Sequence, residues 1–282
     1  MEILTIVLAS LLSLGSGGGI VLDKVAARKI RQQIISVEEQ AIRIDNQPNY
    51  RVAQGRLARV RIAGRGVRIE PGIRIAAVDL ETDPLAVKLD KIKLSSLDRL
   101  RESLVTPAAG AARLVFDEAD LNQALQSPEI QKQLQKTLNR LIARKAGSNN
   151  ISYELSEIKL DLHAENRLQV SFELSRPRPS LPRASTQVGT SLTQNSSREL
   201  AISLELTLKV VDGQAIRLLD PQGTVNGQPM SPRLLNGFAT GISDRLNLNV
   251  LEADGILARI LQLEINEDNL ELISFVRLNQ LP

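Results

Sequence analysis

The chain has 282 residues, a hydrophobic fraction of 43% and a formal net charge of +3. That is enough apolar mass for a folded core and too little charge imbalance for a disordered or polyanionic chain. Cysteine and tryptophan are absent, one histidine is present and aromatic residues make up 2%. Disulfide and thiolate chemistry are therefore excluded, a zinc site is disfavoured, and the stacking platforms that single-stranded nucleic acid requires are missing.

Residues 3–22, ILTIVLASLLSLGSGGGIVL, carry no charge. As a helix they would span roughly 30 Å, about the hydrocarbon thickness of a bilayer. Gly15, Gly17, Gly18 and Gly19 weaken that helix. Three readings stay open: a retained membrane anchor, a cleaved signal peptide and a buried core segment. The signal reading lacks its positive n-region, since only Glu2 precedes the apolar run. Lys24, Arg28, Lys29 and Arg31 follow directly, and the positive-inside rule would keep the body on the cytoplasmic side of a retained anchor. The expected organisation is an apolar segment over residues 1–20 and one α+β domain over 21–282.

Residues 21–35 read as an amphipathic helix, with Leu22, Ala26, Ile30 and Ile34 on one stripe. Period-two alternation follows. Ile42 and Ile44 alternate with Arg43 and Asp45; Ala58, Val60 and Ile62 alternate with Arg59 and Arg61. Ile73, Ile75 and residues 78–80 continue the pattern, with a turn at Pro71-Gly72. A helix starts near Asp117, a natural N-cap, with Glu118 and Asp120 at its positive end. A second starts at Ser127-Pro128 and carries the stripe Ile130, Leu134, Leu138, Leu141 and Ile142.

Strands return over residues 151–162 and 168–174. Residues 175–198 are rich in Pro, Ser, Thr and Gln and read as a flexible loop. Residues 200–211 and 215–219, joined by Asp212-Gly213, read as a hairpin. The Ser-Pro start recurs at Ser231-Pro232, with the stripe Leu234, Phe238, Ile242 and Leu246 in the same spacing as Ile130, Leu134, Leu138 and Ile142. Residues 257–265 and 270–278 form a strand pair around a turn at 266–269. The recurrence suggests an internal duplication; two unrelated Ser-Pro-capped amphipathic helices would look the same. Strands arriving as hairpins point to an antiparallel sheet with helices on one face.

No reaction centre is legible. His163 falls near a turn and lacks Cys or acid partners for metal or triad chemistry. Glu118 and Asp120 are explained by helix capping. Gly64-Arg65-Gly66 lacks the third glycine of a dinucleotide fingerprint and reads as flexible backbone. Catalytic residues, metal ligands and cofactors are all expected to be none. The arginines of residues 51–74 are the strongest charge feature. Arg59, Arg61 and Arg65 on the polar side of a strand could pair with lipid phosphates, or be a solvated face balanced by acids elsewhere.

The run Val21-Leu22-Asp23-Lys24-Val25-Ala26, the strand Gln54-Gly55-Arg56-Leu57-Ala58-Arg59-Val60-Arg61-Ile62 and the strand-to-helix step from Arg113 through Phe116-Asp117-Glu118 to Leu121 resemble the LmeA-type phospholipid-binding proteins. The resemblance covers most of the chain from about residue 20. It implies a long curved antiparallel sheet wrapped around amphipathic helices, with acyl chains held between them and no catalytic residues. The expected partners are a phospholipid or other acyl lipid and a membrane surface of the bacterial envelope or an internal membrane; nucleic acid is not expected, because aromatic residues are scarce and no recognition motif accompanies the basic charge. Leu134, Leu138, Phe238 and Ile242 are the expected cavity residues, and Arg59, Arg61 and Arg65 the expected anionic head-group contacts. The alternative is a membrane-anchored scaffold whose interior is filled.

Overall fold

The computed structural model describes residues 36–45, 51, 54–70, 72–88, 101–146, 153–175 and 199–280. The apolar segment of residues 1–20, the helix expected over 21–35 and the expected loop from residue 176 to 198 lie outside the described residues.

The alternating segments form two antiparallel sheets. The first has six strands in the order β1-β3-β4-β6-β13-β12. These are β1 (Glu39–Asp45), β3 (Arg59–Glu70), β4 (Ile73–Thr82), β6 (Ala108–Asp117), β13 (Asn269–Leu278) and β12 (Ile256–Ile265). The second has five in the order β11-β10-β9-β8-β7. These are β7 (Glu154–His163), β8 (Arg167–Ser175), β9 (Leu200–Val211), β10 (Ala215–Val225) and β11 (Gln228–Pro229). Two short strands, β2 (Arg56–Leu57) and β5 (Leu85–Ala86), pair with each other. The antiparallel α+β architecture expected from the hairpin pattern is therefore present, with its strands shared between two sheets.

Register slips interrupt four strand pairs: β3–β4 at Arg68/Glu70, β7–β8 at Ser156/Lys159, β9–β10 at Leu219/Gln222 and β12–β13 at Ile260/Gln262. Each such bulge bends the strand and increases its right-handed twist, which is how long strands curve. The β9–β10 hairpin closes through Asp212 and Gly213, both at positive φ (53° and 64°), with Gln214 N–H donating to the Val211 carbonyl. That is the primed turn whose twist matches the strands. At the β12–β13 turn, the Asn266 side-chain oxygen accepts from the Asp268 and Asn269 amides, both at 2.9 Å.

Helices carry the chain between the sheets. Helices α1 (Glu118–Leu125) and α2 (Pro128–Ala146) lead from β6 to β7; α3 (Pro232–Ser243) leads from β11 back to β12. Both Ser-Pro starts are capped as their residue types require: Ser127 Oγ accepts from Ile130 N–H and Ser231 Oγ from Leu234 N–H, each at 3.4 Å. Asp117 occupies the N-cap of α1 without a side-chain bond to the helix.

The polar residues of α1 serve a different purpose. Glu118, Asn122 and Gln126 recur every fourth residue and so share one helix face. That face lies along the edge of β7. The Glu118 carboxylate accepts from Leu162 N–H at 2.8 Å, Asn122 pairs with both backbone groups of Leu160 at 2.8 and 2.7 Å, and Gln126 donates to the Ile158 carbonyl at 2.7 Å. Gln135 of α2 extends the series to Leu155 and Tyr153. An edge strand presents unpaired backbone groups. Here amide and carboxylate side chains satisfy them, each contributing about 1 kcal/mol. His163 is the last residue of β7, directly before the 164–166 turn.

The sheets join at Asn166. Its backbone carbonyl accepts from Leu208 of β9 at 2.8 Å, and its side-chain oxygen accepts from Ile265 of β12 at 2.7 Å. It sits at φ 60°, a conformation that Asn tolerates better than most residues. A second tie runs from Ile260 N–H to the Gly213 carbonyl at 2.6 Å. Around the joint one core cluster gathers Leu162, Leu168, Leu206, Leu218, Ala239 and Ile265, with Leu121, Ile242 and Leu270 packed against it. Both sheets and helices α1 and α3 thus meet in this cluster.

Candidate functional site

Directly opposed residues point the same way and neighbours along a strand point oppositely, so strand registry traces apolar rows across each sheet, although in the six-stranded sheet Ile75, Ala77 and Val115, on the side of Asp79 and Arg113, are buried as well. In the six-stranded sheet one row runs Val78, Leu114, Leu272, Leu263. The next runs Ile62, Leu80, Ala112, Ser274, Ile260. In the five-stranded sheet the rows are Leu162, Leu168, Leu206 and Leu160, Val170, Leu204. Ile265 and Leu270 place the first apolar face, and the leucines of β7 to β9 the second, against the same cluster.

Burial is uneven along these faces. In the six-stranded sheet, Val60, Ala108 and Leu278 are buried at one end, as are Leu57, Leu85, Val87 and Leu104 beside them in sequence and pairing. At the other end Ile265 is 2% exposed within the shared cluster. Between the ends Val78, Leu114, Leu272 and Leu263 are only half-buried, as are Phe116 and Val276 on the same face. Apolar side chains left half-open retain hydrophobic free energy that a ligand can release, about 25 cal/mol for each Å² it covers.

The four expected cavity residues fall into two places. Leu134 and Leu138 are half-buried on α2, which packs on β7. Phe238 and Ile242 are half-buried on α3, which packs on β10, and Ile242 also meets the core cluster. Strands β10 and β7 are separated by β9 and β8, so the two pairs lie toward opposite edges of the five-stranded sheet, on strands roughly 14 Å apart at about 4.8 Å per strand. Gly223 brings α3 close to β10: a Cβ there would press on Leu204 and Leu235. The half-open row on β4, β6, β13 and β12 was not among the expected residues, although its alternation was visible.

The opposite face of the six-stranded sheet carries a ladder of charges beside the buried Ile75, Ala77 and Val115. Glu81 takes Arg59 at 3.2 Å and Arg61 at 3.1 Å; Asp79 takes Arg65 at 2.8 Å and Arg113 at 3.2 Å; Arg113 also meets Glu271 at 2.6 Å. The three expected head-group arginines are thus all on the outer side, each paired with an acid of the neighbouring strand. Arg113 holds the Glu271 carboxyl below its ordinary range, and Glu271 and Asp79 raise the Arg113 guanidinium in turn.

Within this ladder lies a depression of about 370 Å³. Ala41, Ala63 and Ala111 form its floor with Ile273, and Arg43, Arg61, Asp79, Glu81 and Arg113 stand around it. Alanines between rows of long side chains leave the space open.

At the end of the sheet Arg74 binds Glu38 through two bonds of 3.1 Å and also binds Asp120 of α1. The paired carboxylates raise the Arg74 guanidinium well above its ordinary value, and Arg74 holds Glu38 below the usual carboxylate range. Gly66, at φ +59°, lies under the Glu38 side chain, and any Cβ would overlap the carboxyl group. This glycine is therefore fixed by a close approach, where the sequence suggested flexible backbone.

Among the described residues no group of three or more His, Asp or Glu is placed to hold a metal. No described helix is long and apolar enough to cross a membrane. The chain matches the model of a protein family, LmeA-like phospholipid-binding, over residues 14–274. No curated protein and no solved structure matches it.

Proposed function

The chain belongs to the LmeA-like phospholipid-binding family, and from that premise we propose that it holds the acyl chains of a phospholipid along the apolar face of the six-stranded sheet and performs no chemistry on them. The observation that carries this reading is the row Val78, Leu114, Leu272 and Leu263, half-open between two closed ends of one apolar face. An acyl chain needs a continuous apolar surface without unpaired backbone groups. A sheet face supplies this, because its N–H and C=O groups are spent in the ladder. Phe238 and Ile242 of α3, and Leu134 and Leu138 of α2, border the second sheet and would limit how far the chains extend.

Lipid extraction and native mass spectrometry of the purified protein test this. The expected result is a phospholipid mass retained on the chain, a rise in melting temperature when phospholipid is added to stripped protein, and recovery of that lipid with unchanged mass after incubation. Protein that purifies empty and gains no thermal stability from phospholipid would refute acyl-chain binding; recovery of a cleaved or modified lipid would refute the absence of chemistry.

A further inference from the structure

We propose that the uncovered side of α3 is a docking surface for an anionic lipid bilayer. It is separate from the acyl surface, which lies on the six-stranded sheet, whereas α3 packs on β10 of the other sheet.

Successive residues of an α-helix are about 100° apart, so α3 presents distinct sides. Leu235 and Ala239 are buried and Ile242 is half-buried; these three meet β10 and the core cluster. On the adjoining side Leu234, Phe238 and Gly241 follow one another at helical spacing, with Gly237 beside them. Leu234 is 45% exposed, Phe238 is half-buried and both glycines are open to solvent. A solvated helix face exposes charge, as α2 does with Glu129, Lys132 and Lys136. After Pro232 the exposed positions of α3 are Arg233, Leu234, Asn236, Gly237, Thr240 and Gly241, of which only the first is charged. The short helical turns that follow expose Leu246 and Val250 as well. Three of the five large apolar side chains exposed among the described residues thus lie in this one connection between β11 and β12.

Charge selects the occupant. From residue 221 to 251 the chain carries one acid, Asp244, and two bases, Arg233 and Arg245. Both arginines are exposed, and neither forms an ion pair among the described residues. In the six-stranded sheet, by contrast, Arg59, Arg61, Arg65, Arg74 and Arg113 are all met by carboxylates. An apolar helix side with an unpaired guanidinium at each end matches a layer of phosphates over hydrocarbon. The guanidiniums bind the phosphates, and Leu234, backed by Phe238, enters the acyl boundary. Pairing of α3 with its counterpart in a second copy about a two-fold axis would set arginine against arginine whichever way the helices ran.

The chain contains no tryptophan, so Leu234→Trp places a fluorescent probe that reports α3 alone within the full chain, whatever else holds the protein to a membrane. Vesicles of equimolar phosphatidylcholine and phosphatidylglycerol should shift its emission to shorter wavelength, and brominated acyl chains should quench it. Gln133→Trp on α2 should show neither effect. A Cβ at Gly237 or Gly241 meets nothing within 4 Å, so adding Gly237→Glu and Gly241→Glu puts two carboxylates on this side without disturbing the packing, and should abolish both signals. Arg233→Gln and Arg245→Gln should each weaken the titration about fivefold on these vesicles and leave that with pure phosphatidylcholine unchanged. No shift in Leu234→Trp, an equal shift in Gln133→Trp, or signals that survive the two glutamates would overturn the docking surface. A shift that grows with protein concentration and does not respond to vesicles would overturn the bilayer in favour of a second copy. Lipid retained in the interior is read separately by native mass spectrometry and should be unchanged by the two glutamates. Failure of the acyl-chain reading would appear as empty protein whose tryptophan still responds to vesicles, and failure of the docking surface as lipid-loaded protein whose tryptophan does not.

Discussion

The two sheets solve the same problem differently. Each turns one apolar face toward a shared core, yet the five-stranded sheet is covered by α3 over β10 and sealed by α1 along the β7 edge. The six-stranded sheet keeps its middle row half-open. Their outer faces differ as well. The six-stranded sheet carries the linked Arg–carboxylate ladder, whereas the outer side of the other mixes two separate ion pairs, Lys159–Asp161 at 2.6 Å and Arg167–Glu205 at 3.2 Å, with Gln169, Ser171 and Ser203, where Gln169 donates to Ser203 Oγ at 3.1 Å. On the proposed reading the closed sheet supplies stability and the open one binds the acyl chains.

Substitutions on the two sheets should therefore separate stability from binding. The largest loss of stability is expected from Leu206→Ala, in the cluster at 5% exposure: about 2–5 kcal/mol by denaturant unfolding. Leu114→Ala, on the half-open row, should cost less than half as much while reducing retained lipid. Equal stability losses, with lipid binding unaffected by Leu114→Ala, would erase the contrast. Asn166→Ala removes the acceptor for Ile265 N–H and puts alanine at φ 60°, which should cost about 2–3 kcal/mol and loosen the joint between sheets, read as faster amide exchange at Leu208 and Ile265. Gly66→Ala should cost about 1–3 kcal/mol, from the left-handed backbone and the displaced Glu38.

The smallest effect is that of pH, and it belongs to the six-stranded sheet. Glu38 and Glu271 have carboxyl groups held below the ordinary value of 4.5 by Arg74 and Arg113. A carboxyl depressed in the folded state stabilises it above the unfolded value, and that contribution is lost as pH falls through the folded one. Stability should thus decline below about pH 4.5, and Glu271→Gln should flatten the decline. An unchanged acid limb in Glu271→Gln would mean that this pair contributes nothing.

Much of this organisation was legible in the chain. Alternation at residues 58–62, 73–80, 200–211 and 257–278 located strands, because a sheet with one buried face imposes period two. The Ser-Pro pairs located two helices, because a hydroxyl cap and a proline at N1 are local requirements. Period two does not say which strands are neighbours, so the division into two sheets was not readable. Nor was the use of Glu118, Asn122 and Gln126: their spacing fits an exposed helix face, and only the edge of β7 gives them partners. The arginine row was visible at Arg59, Arg61 and Arg65, but its acids, Glu81 and Asp79, belong to the next strand and meet it only through registry. For the same reason the expected cavity residues came from the helical stripes, while the half-open row is assembled from four strands spread between residues 78 and 272.

The location of the acyl chains can be measured directly with a phospholipid bearing a photoreactive group midway along one chain, cross-linked to the protein and mapped by peptide mass spectrometry. Adducts are expected on β6 and β13, at or beside Leu114 and Leu272, with markedly fewer in the Leu114→Gln, Leu272→Gln double variant. Adducts confined to peptides of α3 and β10, or a yield indifferent to that double variant, would contradict acyl-chain binding on the six-stranded sheet.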